Sequence, residues 1–128
     1  IDELLDVGDA ICAWNALKHQ LHAQDALLAK AAKSLTEGCP MTALLVWEQI
    51  QRARHLSLAE VFQMEYSMSL NCCRHPEFAE GVRARLIDKD HAPRWHWPDI
   101  ASIPLAVVDA HFEKAWEGRH PLADLSAY

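Results

Sequence analysis

Apolar side chains recur every three or four residues along most of the chain, which is the spacing of one face of an α-helix. Helix boundary signals separate these runs. Asp25 can cap a helix that Gly38 ends, and Pro40 can occupy the first turn of the next helix. Ser57 and Glu60 have the spacing of a capping box. No strand-like alternation persists, so the sequence predicts an all-α fold.

The remaining boundaries complete a bundle of about five to six helices in one domain, residues 1–128. A first helix is expected over residues 9–19, and Pro76 begins another that continues to residue 90. The Pro- and Trp-rich residues 93–104 are expected to form an extended crossing. A last short helix is predicted over residues 105–116, ended by Gly118 and Pro121.

Charge narrows the classes of partner. The formal net charge of -6 disfavours a nucleic-acid binder, because such proteins present a basic face. Residues 74–94 alone carry a local basic excess, with five basic and four acidic side chains. No apolar run approaches the length of a membrane span. We therefore expect no nucleic-acid or membrane partner, while a ligand with a few phosphates stays compatible with the local basic cluster.

The chain ends and the cysteines bear on processing and compartment. The chain begins without Met and with an acidic segment, which predicts a processed or truncated start and no signal peptide. Its four cysteines include the adjacent pair Cys72 and Cys73, and the good apolar pattern favours reduced, buried thiols over disulfides. These features lead us to expect an intracellular protein.

Residues 76–90 form an amphipathic helix by pattern. Phe78, Val82 and Leu86 fall on one stripe, with acidic side chains in the first turns and basic ones later, which complements the helix dipole. Gly81 lies in mid-helix, where it costs roughly 1 kcal/mol against Ala. Close approach of another helix is the expected compensation. On these grounds alone, an ordinary packed helix is the simplest interpretation.

The amino-acid sequence of this segment is more specific than its helical pattern. Residues 77–90 read EFAEGVRARLIDKD and are followed by PRW at residues 93–95. The earlier phrases MEY at residues 64–66 and CPMT at residues 39–42 accompany them. Together they resemble the C-terminal tail of the crotonase (enoyl-CoA hydratase/isomerase) superfamily, most closely its 3-hydroxyisobutyryl-CoA hydrolase branch. The resemblance is strong over residues 40–97 and rests only on helical character outside them.

This resemblance implies a helical C-terminal domain that follows a core of ββα spiral turns. In the superfamily that core supplies the oxyanion hole and the acid/base carboxylates, so no catalytic residue is expected in these 128 residues. The intact enzyme would hydrolyse a short branched β-hydroxyacyl-CoA thioester. A hydratase or isomerase tail is the nearest alternative, and a non-enzymatic helical interaction module is the competing class.

The resemblance also implies a site. In several hydratases a lysine and the aromatic residue before it lie beside the CoA adenine or phosphates, and the lysine corresponds to Lys89. The aromatic does not carry over, because Arg85 and Leu86 stand there. Lys89, Arg85 and Leu86 are the expected CoA contacts, with CoA present as part of the substrate and no cofactor held by the segment itself. A homo-oligomer is expected, in the cytoplasm of a bacterium or the mitochondrial matrix of a eukaryote.

Four other groups have competing interpretations. Adjacent Cys72 and Cys73 are poorly placed to share a zinc ion. His19, His22 and Asp25 could bind a metal only on one continuous helix, which the predicted break before Asp25 excludes.

Glu65 lies among apolar residues of the fourth helix, where an acid/base role competes with a buried acid paired to an Arg of a neighbouring helix. Trp95, His96 and Trp97 could line an acyl pocket, but packing of a loop against the bundle is the better prediction.

Overall fold

The computed structural model describes residues 8–127, and all regular structure in that range is helical. Six α-helices follow one another: α1 (Ala10–Lys18), α2 (Ala26–Glu37), α3 (Pro40–Ala53), α4 (Leu58–Arg74), α5 (Pro76–Val82) and α6 (Leu105–Phe112). A π-helical turn, Arg83–Ile87, continues α5, and two 3₁₀ turns lie at Ile100–Ser102 and Ala123–Ala127. No strand occurs in this range, which confirms the all-α prediction, and no helix in it is long and apolar enough to cross a membrane.

The predicted caps are present and are local in origin. The Asp25 carboxylate accepts hydrogen bonds from the backbone N–H groups of Leu27 and Leu28, and Ser57 and Glu60 form both halves of a capping box. Gly38 ends α2 as predicted, but with an extended backbone instead of a left-handed one. A Cβ there would lie 2.7 Å from the Ser34 carbonyl oxygen, so close backbone approach explains this glycine.

The core lies where α3 meets α1, α6 and the crossing segment. Its buried members are Trp14, Met41, Leu44, Leu45, Ile100, Ile103 and Val108. Each fully buried aliphatic side chain of this size contributes about 1.5–3 kcal/mol. Arg52 of α3 joins α6 by an ion pair with Asp109 and by stacking its guanidinium 4.1 Å from the centre of the Phe112 ring.

The prediction that the last helix runs to residue 116 is wrong, because α6 ends at Phe112. The side-chain amide nitrogen of Asn71 in α4 lies within hydrogen-bond distance of the carbonyls of Ala110, His111 and Glu113, and its two hydrogens satisfy carbonyls that the helix end leaves open. The chain then turns so that the Trp116 ring packs edge-on against Tyr66, with ring centres 5.5 Å apart. A long-range cap decides this boundary.

The prediction for the cysteines holds in part. All four are free thiols, and Cys39 and Cys72 are half-buried against the core. Cys12 and Cys73 are exposed, so the expectation that every thiol is buried is wrong.

The extended crossing over residues 93–104 is confirmed, with one short 3₁₀ turn inside it. The side chain of Asp99 accepts a hydrogen bond from the Ser102 backbone N–H and so caps this turn. The turn places Ile100 and Ile103 in the core. The crossing therefore supplies core residues as well as linking α5 to α6.

Candidate functional site

A groove of about 360 Å³ opens beside α5, and we call it the α5 groove. Its apolar lining includes Met41, Leu45, Phe78, Val82, Leu86 and Trp95, and its polar lining includes Cys39, Thr42, Cys72, His75, Glu77, Arg85 and His111. The predicted stripe of Phe78, Val82 and Leu86 therefore shares one surface. Phe78 is 51% exposed and Leu86 is 68% exposed, so the described part of the chain does not cover that stripe.

Trp95 explains the glycine in α5. An ideal Cβ on Gly81 would lie 3.3 Å from Cη2 of the Trp95 ring. Close approach was predicted, but by a neighbouring helix; the structure instead brings an indole from the crossing segment against Gly81. Trp97 packs on the core and stacks against His75, with ring centres 5.5 Å apart. Loop packing against the bundle is confirmed, and Trp95 also lines the α5 groove.

Two acids of α5 hold the returning chain by its backbone. Glu80 Oε1 accepts a hydrogen bond of 2.6 Å from the Arg94 N–H, and Glu77 Oε1 accepts one of 2.9 Å from the His96 N–H. Glu77 is buried, at 7% exposure. The sequence pattern assigned both acids to the helix dipole. In the structure they also fix the strand-like stretch that carries Trp95.

Arg83 is the centre of an ion-pair cluster that sequence reasoning did not find. Its guanidinium makes a two-point contact with the Glu80 carboxylate and single contacts with Asp88 at 2.6 Å and Asp90 at 2.7 Å. It also donates to the Ala92 carbonyl. The local basic excess predicted for residues 74–94 is therefore partly neutralised inside the chain. Arg83 itself is committed to structure.

The stabilisation that the Arg83 cluster gives to the fold is expected to be lost in acid. The hydrogen bonds from the Arg83 guanidinium and the Arg94 N–H lower the pKa of Glu80 to about 2. A depressed carboxyl pKa stabilises the fold above the ordinary value of 4.5, and this contribution is lost as the pH falls from 4.5 to about 2. We expect Glu80→Gln to lower the melting temperature at pH 7 and to flatten its decline between pH 4.5 and 2.

Thermal unfolding followed by circular dichroism across pH 2–7 measures this effect. Glu113→Gln is the matched control, because the Glu113 side chain makes no hydrogen bond or ion pair within residues 8–127. Parallel curves for wild type and Glu80→Gln would contradict the assignment. The Ala92 N–H and Arg83 also lower the pKa of Asp90. We therefore expect Asp90→Asn to change the pH dependence of the melting temperature in a similar but separate way.

The helix predicted to reach residue 90 changes character before it ends. Residues Arg83–Ile87 form a π-turn, and Lys89 and His91 then take left-handed backbone angles, with φ of 55° and 54°. Single π-turns inside helices are frequent at functional sites. Arg85 and Lys89 are exposed, and their side chains make no hydrogen bond or ion pair within the described range. CoA contact by Lys89, Arg85 and Leu86 stays a prediction.

Of the other candidate groups, Asp25 and Glu65 take structural roles. No group of three metal-binding side chains occurs within residues 8–127. His19 and His22 are exposed outside α1, and Asp25 caps α2, as the predicted helix break required. Glu65 accepts a hydrogen bond of 2.5 Å from the Gln49 side chain of α3, so the predicted Arg partner is wrong.

Sequence reasoning also missed a pair of histidines in the α5 groove. His75 joins α4 to α5, and its ring centre lies 5.0 Å from that of His111 in α6. His111 is 3% exposed. The positions of these histidines in the sequence do not indicate that they meet, because His75 lies between Arg74 and Pro76 and His111 lies on an apolar helix. Only the packing of α6 against α4 brings the two rings together.

Comparisons with known proteins agree with the motif of α5. Residues 1–112 match a family model described as enoyl-CoA hydratase/isomerase. The mitochondrial 3-hydroxyisobutyryl-CoA hydrolase of Danio rerio is 40% identical over 112 residues, covering 88% of this chain and 28% of that protein. The human protein of the same name is 35% identical over 81 residues, covering 63% of this chain and 21% of that protein.

Two further comparisons show similarity to proteins that are not named hydrolases. Small ribosomal subunit protein mS47 of Arabidopsis thaliana is 32% identical over 91 residues, covering 69% of this chain and 22% of that protein. The crystal structure of an enoyl-CoA hydratase from Rhodobacter sphaeroides 2.4.1 superposes with a TM-score of 0.72 and 26% identity, covering 87% of this chain and 32% of that one. The chain thus spans between a fifth and a third of the length of these proteins.

Proposed function

Because the chain belongs to the enoyl-CoA hydratase/isomerase family, we propose that it is the helical C-terminal part of an acyl-CoA thioester hydrolase that resembles 3-hydroxyisobutyryl-CoA hydrolase. The 40% identity to a hydrolase of that name carries the proposal. In this proposal, residues outside this segment hydrolyse the thioester. An upstream carboxylate and an upstream oxyanion hole would act on the thioester, since negative charge that develops on its carbonyl needs fixed donors.

The α5 groove supports a covering role for this segment. Phe78, Leu86 and Ile87 are each more than half exposed and lie on or beside one open apolar groove. Exposed apolar surface of this kind marks a contact with another protein surface. The relatives are three to five times longer than the matched region, so their remaining length can supply such a surface. We propose that the catalytic core, or a second subunit, covers the groove.

The exposed bases support a role at the CoA end of the substrate. Arg83 is occupied by carboxylates, whereas Arg85, which lines the groove, and Lys89, four residues later, are exposed cations. Phosphate groups are recognised by such cations, and Leu86 beside them offers an apolar contact. We propose Lys89 and Arg85 as phosphate contacts and Leu86 as a contact of the adenine.

The CoA role predicts a kinetic effect for Lys89→Glu in the native full-length polypeptide. Charge reversal at a phosphate contact weakens ground-state and transition-state binding alike, so we expect KM for acyl-CoA to rise about fivefold with kcat unchanged. Lys30→Glu on α2 is the control, because Lys30 is also an exposed lysine. Equal KM values for wild type and Lys89→Glu would exclude the phosphate contact while leaving the proposed hydrolase activity open.

The proposed function itself is tested on the native polypeptide from its own cells. Its intact mass comes first, and a chain several times longer than 128 residues is the expected result. Thioester hydrolysis of 3-hydroxyisobutyryl-CoA, followed by release of free thiol, is then compared with hydration of an enoyl-CoA. Hydration without hydrolysis would favour the alternative of a hydratase, which the superposition on an enoyl-CoA hydratase supports.

A non-enzymatic interaction module is the second candidate. The similarity to small ribosomal subunit protein mS47 favours it, because that name describes a component of an assembly. A native polypeptide without either acyl-CoA activity, recovered in a stable complex with other proteins, would decide for this candidate. The α5 groove would then be the first surface to test for the contact.

A further inference from the structure

His75 joins two helices and caps the second of them. The residue ends α4 and directly precedes α5, with an extended backbone at φ of -82° and ψ of 140°. Its Nδ1 accepts a hydrogen bond of 3.4 Å from the Glu77 N–H, one of the groups that the first turn of a helix leaves without an intrahelical partner. An accepting Nδ1 carries no proton. The ring therefore caps α5 only in its neutral form, with the proton on Nε2.

Rings from two other elements pack against His75. The indole of Trp97 in the crossing segment stacks on it, with ring centres 5.5 Å apart and planes inclined by 25°. The ring centre of His111 in α6 lies 5.0 Å away. Through this one side chain, the junction of α4 and α5 is packed against both α6 and the crossing segment.

The surroundings of the ring favour its neutral form. Burial is the main cause that lowers the pKa of His75, and the neighbouring His111 and His96 lower it further. The Glu77 carboxylate acts in the opposite direction, although its Oε1 is already engaged by the His96 N–H at 2.9 Å. The balance of these influences is a lowered pKa, so the fold resists a proton on His75.

Side chains that add no negative charge at neutral pH complete these surroundings, and they are the thiols Cys39 and Cys72 and the cations Arg74 and Arg85. Burial raises the pKa of both thiols, which keeps them uncharged. Arg74 directs its guanidinium to the Ala115 carbonyl. Among the groups named around the ring, Glu77 alone favours a proton on His75.

We propose that the junction of α4 and α5 is a pH-sensitive hinge, in which a proton on His75 removes the cap of α5 and loosens this helix and the crossing segment from the bundle. In the protonated ring both nitrogens are donors, so Nδ1 and the Glu77 N–H oppose each other. The change reaches the crossing because Glu77 and Glu80 of α5 hold the N–H groups of His96 and Arg94. The inference does not depend on the proposed acyl-CoA activity.

The direction of the pH dependence follows from the lowered pKa of His75. When α5 is loosened, the ring titrates near the ordinary value of 6.5, whereas the docked ring takes up its proton only at lower pH. The stabilisation is therefore complete above pH 6.5 and is lost as the pH falls from 6.5 toward the pKa of the docked ring. This window lies above the range from 4.5 to about 2 in which Glu80 acts, so the two acid effects are separable.

Hydrogen exchange of the native polypeptide, followed by mass spectrometry, measures the hinge. Protection of the amides in residues 76–82 is compared at pH 7.5 and pH 5.5, after correction for the chemical exchange rate at each pH. We expect this protection to fall about fivefold, because linkage to one proton changes an opening equilibrium by up to about tenfold per pH unit. Amides of α2, which contributes no residue to the α5 groove, are expected to keep their protection.

His75→Asn separates the proton from the cap, because asparagine is a favourable N-cap that does not titrate. Its protection over residues 76–82 should equal that of wild type at pH 7.5 and stay the same at pH 5.5. His22→Asn is the matched control, since His22 is an exposed residue between α1 and α2, and it should keep the wild-type pH dependence.

Two results would overturn the hinge. The first is protection over residues 76–82 in the wild type that does not change between pH 7.5 and pH 5.5, a measurement that needs no variant to fold. The second is a fall in protection in His75→Asn as large as that in wild type, which would assign the pH dependence to another group.

Discussion

Replacing Arg83 with methionine is expected to release residues 88–95 from α5. Methionine keeps the aliphatic bulk of the side chain but removes the contacts to Glu80, Asp88, Asp90 and the Ala92 carbonyl. Three carboxylates then lose the cation that they share, and the weaker field of Arg94 does not replace its hydrogen bonds, so repulsion adds to the loss of attraction. Glu80 would also hold the Arg94 N–H less firmly, because Arg83 no longer orients its carboxylate.

Amide hydrogen exchange measures this release residue by residue. We expect exchange at Ala92, Arg94 and His96 to become at least tenfold faster, while amides of α3 keep their protection. The same change should expose the Trp95 ring and shift its fluorescence toward that of an indole in water. Arg94→Met is the matched control, because its backbone N–H, the group that bonds Glu80, is retained. If both variants exchange alike, the cluster does not hold the crossing.

Asn71→Ala is expected to destabilise the fold by about 2 kcal/mol. The Asn71 amide nitrogen lies 3.2, 3.1 and 2.9 Å from three carbonyl oxygens at the end of α6, so its two hydrogens are shared among three acceptors. A typical hydrogen bond contributes about 1 kcal/mol, and three bonds from one nitrogen contribute less than three independent ones. The loss also weakens the turn after α6, although the Arg74 guanidinium still donates to the Ala115 carbonyl.

Urea unfolding at neutral pH measures the change in the free energy of unfolding. Ser69→Ala is the control, since Ser69 is an exposed residue of the same helix. Asn71→Asp sharpens the test: a carboxylate offers no donor and brings negative charge to the carbonyl end of α6, so it should destabilise more than alanine. An aspartate variant as stable as wild type would contradict the capping role.

The elements predicted correctly share one property. The Asp25 cap, the Ser57–Glu60 capping box and the Pro40 start involve residues two to three positions apart, so their geometry follows from the local backbone. The stripe of Phe78, Val82 and Leu86 is likewise a matter of helical period. These features and the motif of α5 could be predicted from the amino-acid sequence alone.

The candidate site was predicted only in part. Lys89, Arg85 and Leu86 came from a family resemblance, and their exposure leaves them available for the proposed contact. The contact between His75 and His111 could not be foreseen, because the two residues are 36 positions apart and His75 lies at a helix junction while His111 lies within α6. Charge order along α5 suggested a dipole effect for Arg83, and nothing in that order indicated three carboxylate partners.

By itself, the sequence determined that the chain is helical, where its six described helices begin and which family its α5 motif belongs to. Those properties depend on interactions within one or two turns, which periodicity and cap residues encode directly. Tertiary structure alone decided where α6 ends, what fills the space at Gly81 and which side chains meet in the α5 groove. These outcomes depend on donors, rings and carboxylates brought together by packing, and the energy of each contact exists only once the helices have docked.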